Sequence, residues 1–209
     1  MPKKLNLIKV QEELLERDVL LFSPLEFRRI FDVTKSTASF FINYHLKSGL
    51  FTKLKNGLYA LSVRLPSEFE IANRVYSPSY VSLEYALMYY GIISETVYNI
   101  TSVTTKPTRE FVINNIFYTY NKIKKIAFKG YLRKSKDGNL VLIADAEKAF
   151  VDYLYFVDLG KKVIYDRIDV SKLSRPKLIK YAKLFKRKSL VNLVSKIYDR
   201  RRRNKEIIY

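Results

Sequence analysis

The sequence predicts an α+β chain with a helix-rich beginning, a β-rich middle and a basic helical end. Three observations carry this. Residues 19–62 pair two short capped helices with a hairpin signal. The runs VYNITSVTT, REFVI and IFYTYNKI are dominated by β-branched and aromatic residues, which fit a pleated surface. The last fifty residues hold seventeen Lys/Arg against four Asp/Glu, net +13 of a total of +19. With 209 residues, 48% of them hydrophobic, the chain has material for one large or two small cores.

Taken in order, LIKVQEELLERDVLLF is amphipathic and reads as a supporting first helix. Ser23-Pro24 starts a second, with Ser capping the free amides and Pro fitting the first turn. Leu25, Phe27, Ile30 and Phe31 are its apolar set, and it stops near Asp32-Val33. Thr34 caps KSTASFFINYHLKS, which ends at Gly49, where a left-handed residue is wanted. LFTKLKNGLYAL then reads as two strands around Asn56-Gly57, the preferred pair for a type I′ turn. Helix, turn, helix, hairpin is the outline of a winged helix-turn-helix, placed here at residues 1–65 as a DNA-binding domain.

At 100° per residue, Ala38, Phe41, Ile42, His45 and Leu46 fall on one side of the third helix and should pack inward. Ser36, Ser39, Phe40, Asn43 and Lys47 fall on the other, with Lys35 at the N-terminus. Small polar groups, an Asn and an apolar ring are the side chains that read base edges in a major groove. Lys53 and Lys55 are expected on one face of the hairpin, beside phosphates.

The pattern changes at Leu65-Pro66-Ser67, so residues 66–209 are read as a second domain, with an α+β core at 66–159. A short helix, SEFEIANRVY, leads to SYVSLEYALMYYG, a helix capped by Ser82 and stopped by Gly91. The β-rich runs follow, and Phe128 to Arg133 and Leu140 to Ile143 flank a turn at Lys136-Asp137-Gly138-Asn139. The sheet should be mainly antiparallel. Asp145 caps a helix whose stripe is Ala146, Ala149, Phe150, Tyr153, Leu154 and Val157. Two further helices occupy 160–209, with stripes Leu178, Tyr181, Ala182, Phe185 and Leu190, Leu193, Val194, Ile197, the second capped by Ser189. Lys180, Lys183, Arg187 and the run Arg200, Arg201, Arg202, Arg203 form a candidate polyanion-binding face.

Several function classes fall away. No run approaches the ~18 apolar residues of a membrane span and no apolar leader follows the start, so a cytoplasmic protein without membrane contact is expected. Zero cysteines remove thiolate zinc sites and cysteine nucleophiles, and the single His45 removes His clusters and most His-dependent triads. Six glycines form no phosphate loop. Glu147, Asp152, Asp166, Asp169 and the hydroxyl run 101–105 read as folding residues. The expectation is a non-enzyme without cofactor or metal, and the charge points to a polyanionic partner.

Three segments together resemble a known family: KNGLYAL, the block SYVSLEYALMYYGIISETVYNITSVTTKPTREFVI, and IADAEKAFVDYLYF. They are similar to the AbiEi-type antitoxins of abortive-infection (phage-defence) toxin–antitoxin systems, over roughly residues 20–157. The matching positions are Ser82, Leu83, Tyr90, Gly91, Thr101, Ser102, Thr104, Thr105, Arg109, Glu147, Lys148 and Asp152. Asp145-Ala146 departs from the family's usual Thr-Pro but keeps a capping residue. The resemblance implies an N-terminal winged helix that represses its own operon, and a C-terminal domain that neutralises a co-encoded nucleotidyltransferase-like toxin. Because a single winged helix offers few base contacts, an inverted-repeat operator is expected, occupied by a homodimer or by two monomers cooperating on DNA. The alternative is a winged-helix regulator without a toxin partner, using its basic C-terminal helices on RNA or DNA.

Overall fold

A computed structural model describes the backbone of residues 5–136 and 139–206. It divides into two compact units, Met1–Val75 and Tyr76–Tyr209. The division falls at Val75 rather than at Pro66, and the helix after Pro66 is tied to the first unit by an Arg74–Glu26 ion pair and by the Val75 carbonyl, which accepts from Lys55.

Unit 1 begins with α1 (Leu7–Glu16), capped by Asn6, whose Oδ1 accepts from the amides of Ile8 and Lys9. After β1 (Leu21–Phe22) comes α2 (Pro24–Phe31). Its start is a full capping box: the Glu26 amide donates to Ser23 Oγ at 3.2 Å, and the Ser23 amide donates to Glu26 Oε2 at 2.7 Å. Asp32 ends it in the left-handed region at φ 50°. Thr34 caps α3 (Lys35–Lys47), followed by β2 (Phe51–Lys55), β3 (Leu58–Leu61) and α4 (Glu68–Val75). The three strands form an antiparallel sheet in the order β1-β3-β2. Gly57 turns at φ 76° while Asn56 stays out of the left-handed region, so the hairpin lacks the type I′ geometry its sequence predicts. That geometry instead belongs to Asn114-Asn115, at φ 49° and 62°. The core of unit 1 is an aromatic lattice of Phe22, Phe27, Phe31, Phe41 and Phe51 closed by Val10, Leu14, Ile42 and Leu61. Neighbouring rings lie 4.6 to 6.3 Å apart, and each fully buried ring stabilises the unit by about 1.5–3 kcal/mol.

Unit 2 is a six-stranded sheet with helices. Its elements are β4 (Ser79–Val81), α5 (Leu83–Tyr89), β5 (Ile100–Thr104), β6 (Arg109–Ile113) and β7 (Ile116–Lys122). They continue through β8 (Tyr131–Lys136), β9 (Asn139–Ala144), α6 (Ala146–Asp158), α7 (Arg175–Leu184) and α8 (Lys188–Glu206). The sheet order is β6-β7-β5-β4-β9-β8. It is mixed: β4–β9 and β5–β7 run parallel, the other three pairings antiparallel. The turn between β8 and β9 joins Lys136 to Asn139 in register, and Asp137 and Gly138 lie outside the described residues. α6 is buried on every side from Glu147 to Phe156, the condition of a helix enclosed by other elements. It packs on α5, α7 and α8. Asp145 caps it, accepting from the Lys148 amide at 2.8 Å.

Two expected caps are not caps. Ser82 precedes α5 but makes no capping bond; its hydroxyl donates to Asp152 Oδ2 at 2.9 Å. Ser189 lies inside α8, and its hydroxyl donates to Asp158 at 3.0 Å. In both, the hydroxyl donates to a carboxylate that the tertiary fold brings in.

Candidate nucleic-acid interface

α3 is fixed by its inner side. Ala38, Phe41, Ile42 and His45 are buried, and Phe41 packs on Phe27 and Phe51. His45 lies 4.2 Å from the Phe41 ring with Nδ1 3.0 Å from Ser48 Oγ, and burial pushes its imidazole below the ordinary value. Anchoring that side turns the opposite one outward. Lys35, Ser36, Phe40, Asn43 and Lys47 are exposed, and Ser39 is half-buried.

The N-terminus of this helix is electropositive by construction. Its first turn holds no acidic residue, so the partial positive charge of the free amides is undiminished, and Lys35 adds a full one. Thr34 Oγ1 accepts from the Thr37 amide at 3.2 Å and lies 2.9 Å from Ser36 Oγ, so the Ser36 hydroxyl is shared with the cap. Tyr44, which is not in the outward set expected from the sequence, is 60% exposed and stacks on Phe40, itself 73% exposed. The i, i+4 spacing of the two rings was the signal.

The hairpin lysines part company. Lys53 is exposed on β2, whereas Lys55 is half-buried and its ammonium donates to the Val75 carbonyl at 2.6 Å. The ladder slips between Lys53 and Lys55, which breaks the two-residue alternation on which a shared face depends. Lys53 remains an outward cation; Lys55 is tied down within unit 1.

In unit 2 most of the motif residues point inward. Lys148 and Asp152, one turn apart on α6, form an ion pair with both side chains fully buried. The carboxylate also accepts from Tyr80 at 3.1 Å and Ser82 at 2.9 Å, and the ammonium lies over the rings of Phe185 and Tyr80. Burial pushes the Asp152 carboxyl up and the Lys148 ammonium down, and each charge is held by the other. The pair therefore ties α6 to β4 and to the entrance of α5, where Leu83 takes the strained φ of 58°. Thr101 donates to the Ser82 carbonyl at 2.7 Å and accepts from the Tyr85 amide at 3.0 Å. Thr104 donates to the Pro78 carbonyl at 2.7 Å. Glu147 loses some acidity to burial but regains more from Lys177 at 3.0 Å and the Ser174 amide at 3.1 Å, ending below the usual carboxylate value. Tyr90 is half-buried and donates to the Ala144 carbonyl at 2.8 Å; Arg109 is exposed beside the Tyr76 ring.

The basic helices are partly self-neutralised. Lys180, Lys183 and Arg200 are exposed. Arg187 is not part of an open face: its guanidinium pairs with Asp158 at 2.6 Å. Arg175 pairs with Asp199 at 3.1 Å, and Lys177 with Glu147. The side chains of Arg201, Arg202 and Arg203 lie outside the described residues.

Among the described residues no group of three His, Asp or Glu side chains lies close enough to hold a metal ion. No described helix is long and apolar enough to cross a membrane. Neither a protein-family model nor a curated protein sequence matches the chain.

Proposed function

We propose that the chain is an AbiE-type antitoxin and autorepressor, not an enzyme. Unit 1 is a winged helix-turn-helix that reads its own promoter, and unit 2 neutralises a co-encoded nucleotidyltransferase-like toxin. The observation that carries the DNA reading is the outer side of α3, where exposed Lys35, Ser36, Asn43 and Lys47 share one surface with Phe40 and Tyr44. Helix, strand, helix, helix and hairpin in that order support it, as does the +19 charge. The toxin half rests on the resemblance of the three segments. Within that reading the buried Ser82, Thr101, Lys148 and Asp152 shape the unit, and contact with the toxin falls to exposed groups such as Arg109.

Exposed Lys180, Lys183 and Arg200 favour one second reading, a regulator without a toxin whose C-terminal helices hold RNA or DNA. Two measurements test the two halves of the proposal, and the second also separates it from that alternative. Footprinting of the chain's own promoter should show a protected inverted repeat occupied by two copies. Asn43→Ala should cost about 1–3 kcal/mol of base discrimination, and Lys53→Ala should reduce the salt slope by about 0.9 without changing the preferred sequence. Equal affinity for promoter and random duplex defeats the repressor reading. Co-expression with the adjacent gene, scored for growth rescue, decides the toxin half.

A further inference from the structure

Phe40 and Tyr44 sit one turn apart on α3, with ring centroids 6.1 Å apart and planes 21° from parallel. Both are more than half exposed, although unit 1 has a core that holds five other phenylalanines. Phosphate contact has no use for such a pair. Folding gains little from it either, since an i, i+4 contact on a helix surface is worth only about 0.2–0.5 kcal/mol.

The neighbours say what the rings face. Ser36, Phe40 and Tyr44 form one i, i+4 row along the helix, and Ser39, Asn43 and Lys47 form the next. An aromatic row thus runs beside a polar and cationic row, which Lys35 heads. A lipid or apolar protein partner calls for a wider apolar field than two rings among lysines, serines and an asparagine. A major groove presents both chemistries side by side. Adenine offers N6 and N7 to an amide, and its thymine partner offers a C5 methyl, the groove's apolar group.

We propose that α3 selects A·T pairs through both rows: the Asn43 amide takes adenine N6 and N7, and the Phe40 ring covers a thymine methyl. Tyr44 is a positioning residue that braces the Phe40 ring by stacking. The proposal rests on the DNA reading of unit 1 and names the bases that reading leaves open.

The test exchanges thymine for deoxyuridine, one position at a time, in a synthetic duplex carrying the protected promoter sequence. The exchange removes one methyl and keeps every hydrogen-bonding group. Full-length protein should lose about fourfold in affinity at one or two positions of each half-site, the equivalent of about 0.8 kcal/mol for a buried methyl. Phe40→Ala should bind the thymine duplex more weakly and no longer distinguish deoxyuridine there. Phe40→Leu should restore part of the difference, which guards against a variant that merely folds badly. Tyr44→Ala should give an intermediate loss, and no variant should change the salt slope, because none touches a phosphate. Specific promoter binding that is indifferent to every methyl overturns the proposal and leaves the DNA reading intact. A deoxyuridine penalty that persists in Phe40→Ala assigns the methyl contact elsewhere and overturns it too. Promoter binding no tighter than random binding removes both.

Discussion

Unit 1 and unit 2 spend their polar side chains in opposite directions. On α3 of unit 1 the lysines, serines and asparagine face outward while an aromatic lattice closes the inside. On α6 of unit 2 a lysine and an aspartate are shut in with a tyrosine and a serine, and the exposed surface around them is supplied by other elements. A polar motif is therefore no address for a partner until its burial is known. The residues of unit 2 that the sequence picks out as a motif, Ser82, Thr101, Lys148 and Asp152 among them, are mostly joints of the fold. The residues of unit 1 that resemble nothing specific are the ones available to a ligand.

Substitution inside unit 2 offers the most severe way to break that contrast. Asp152→Ala leaves a buried ammonium without its counter-charge and removes the acceptor of Tyr80 and Ser82, so the unit should lose about 3–5 kcal/mol. Replacing the pair together, Lys148→Met with Asp152→Leu, should recover part of the loss, because two apolar side chains need no partner while the Tyr80 and Ser82 hydroxyls still lack their acceptor. Urea unfolding of the full chain, followed by circular dichroism, reads both. Phe40→Ala on α3 should leave the same curve within about 0.5 kcal/mol, as surface changes do. A cost below about 1 kcal/mol for Asp152→Ala would remove the joint from the account.

A second contrast lies in the turns. Gly130, at φ 77°, carries no side chain because a Cβ there would stand 2.6 Å from the Tyr181 ring. Tyr181 in turn donates to Asp145, the cap of α6, at 2.5 Å. Gly49, at φ 79°, faces open space. Gly49→Ala should therefore cost only the left-handed backbone penalty, about 1–2 kcal/mol. Gly130→Ala should cost that plus about 1–3 kcal/mol for overpacking, unless Tyr181 is truncated in the same chain. Equal losses at the two glycines would show that the Tyr181 contact yields freely.

What was legible in the sequence was what the chain does locally. Ser23, Thr34 and Asp145 cap as read, since each partner amide lies three residues on. The inward side of α3 follows from its helical period. The failures involve partners far along the chain. Ser82 looks like a cap until Asp152, seventy residues away, claims its hydroxyl. Arg187 looks like free charge until Asp158 meets it, and Lys55 until the Val75 carbonyl does. β4 escapes notice because three residues carry too little alternation to register against the helix pattern that follows. The i, i+4 spacing of Lys148 and Asp152 is visible in the sequence, yet only the enclosure of α6 turns a surface-type pair into a buried one.

The smallest expected effect also separates the units. His45 is the chain's one histidine and belongs to unit 1, on the packed side of α3. Burial lowers its pKa in the folded state, so the folded protein prefers the neutral ring. A depressed base contributes stability that is fully present above the unfolded value of 6.5. That contribution declines as pH falls below 6.5, where the unfolded chain binds a proton that the folded one resists. Carboxylates move elsewhere: Glu147 in unit 2 is held below 4.5 by Lys177 against the effect of its burial, so its contribution is lost only in more acidic solution. Calorimetry of the full chain from pH 8 to pH 5 should thus show the unit 1 transition falling, while that of unit 2 holds. His45→Gln, which keeps hydrogen bonding toward Ser48 without a titrating ring, should flatten the unit 1 response. A fall between pH 8 and pH 5 that survives this substitution would remove His45 from the account, because Glu26 of unit 1, raised by burial but held below 4.5 by Arg74, releases its stabilisation only in more acidic solution.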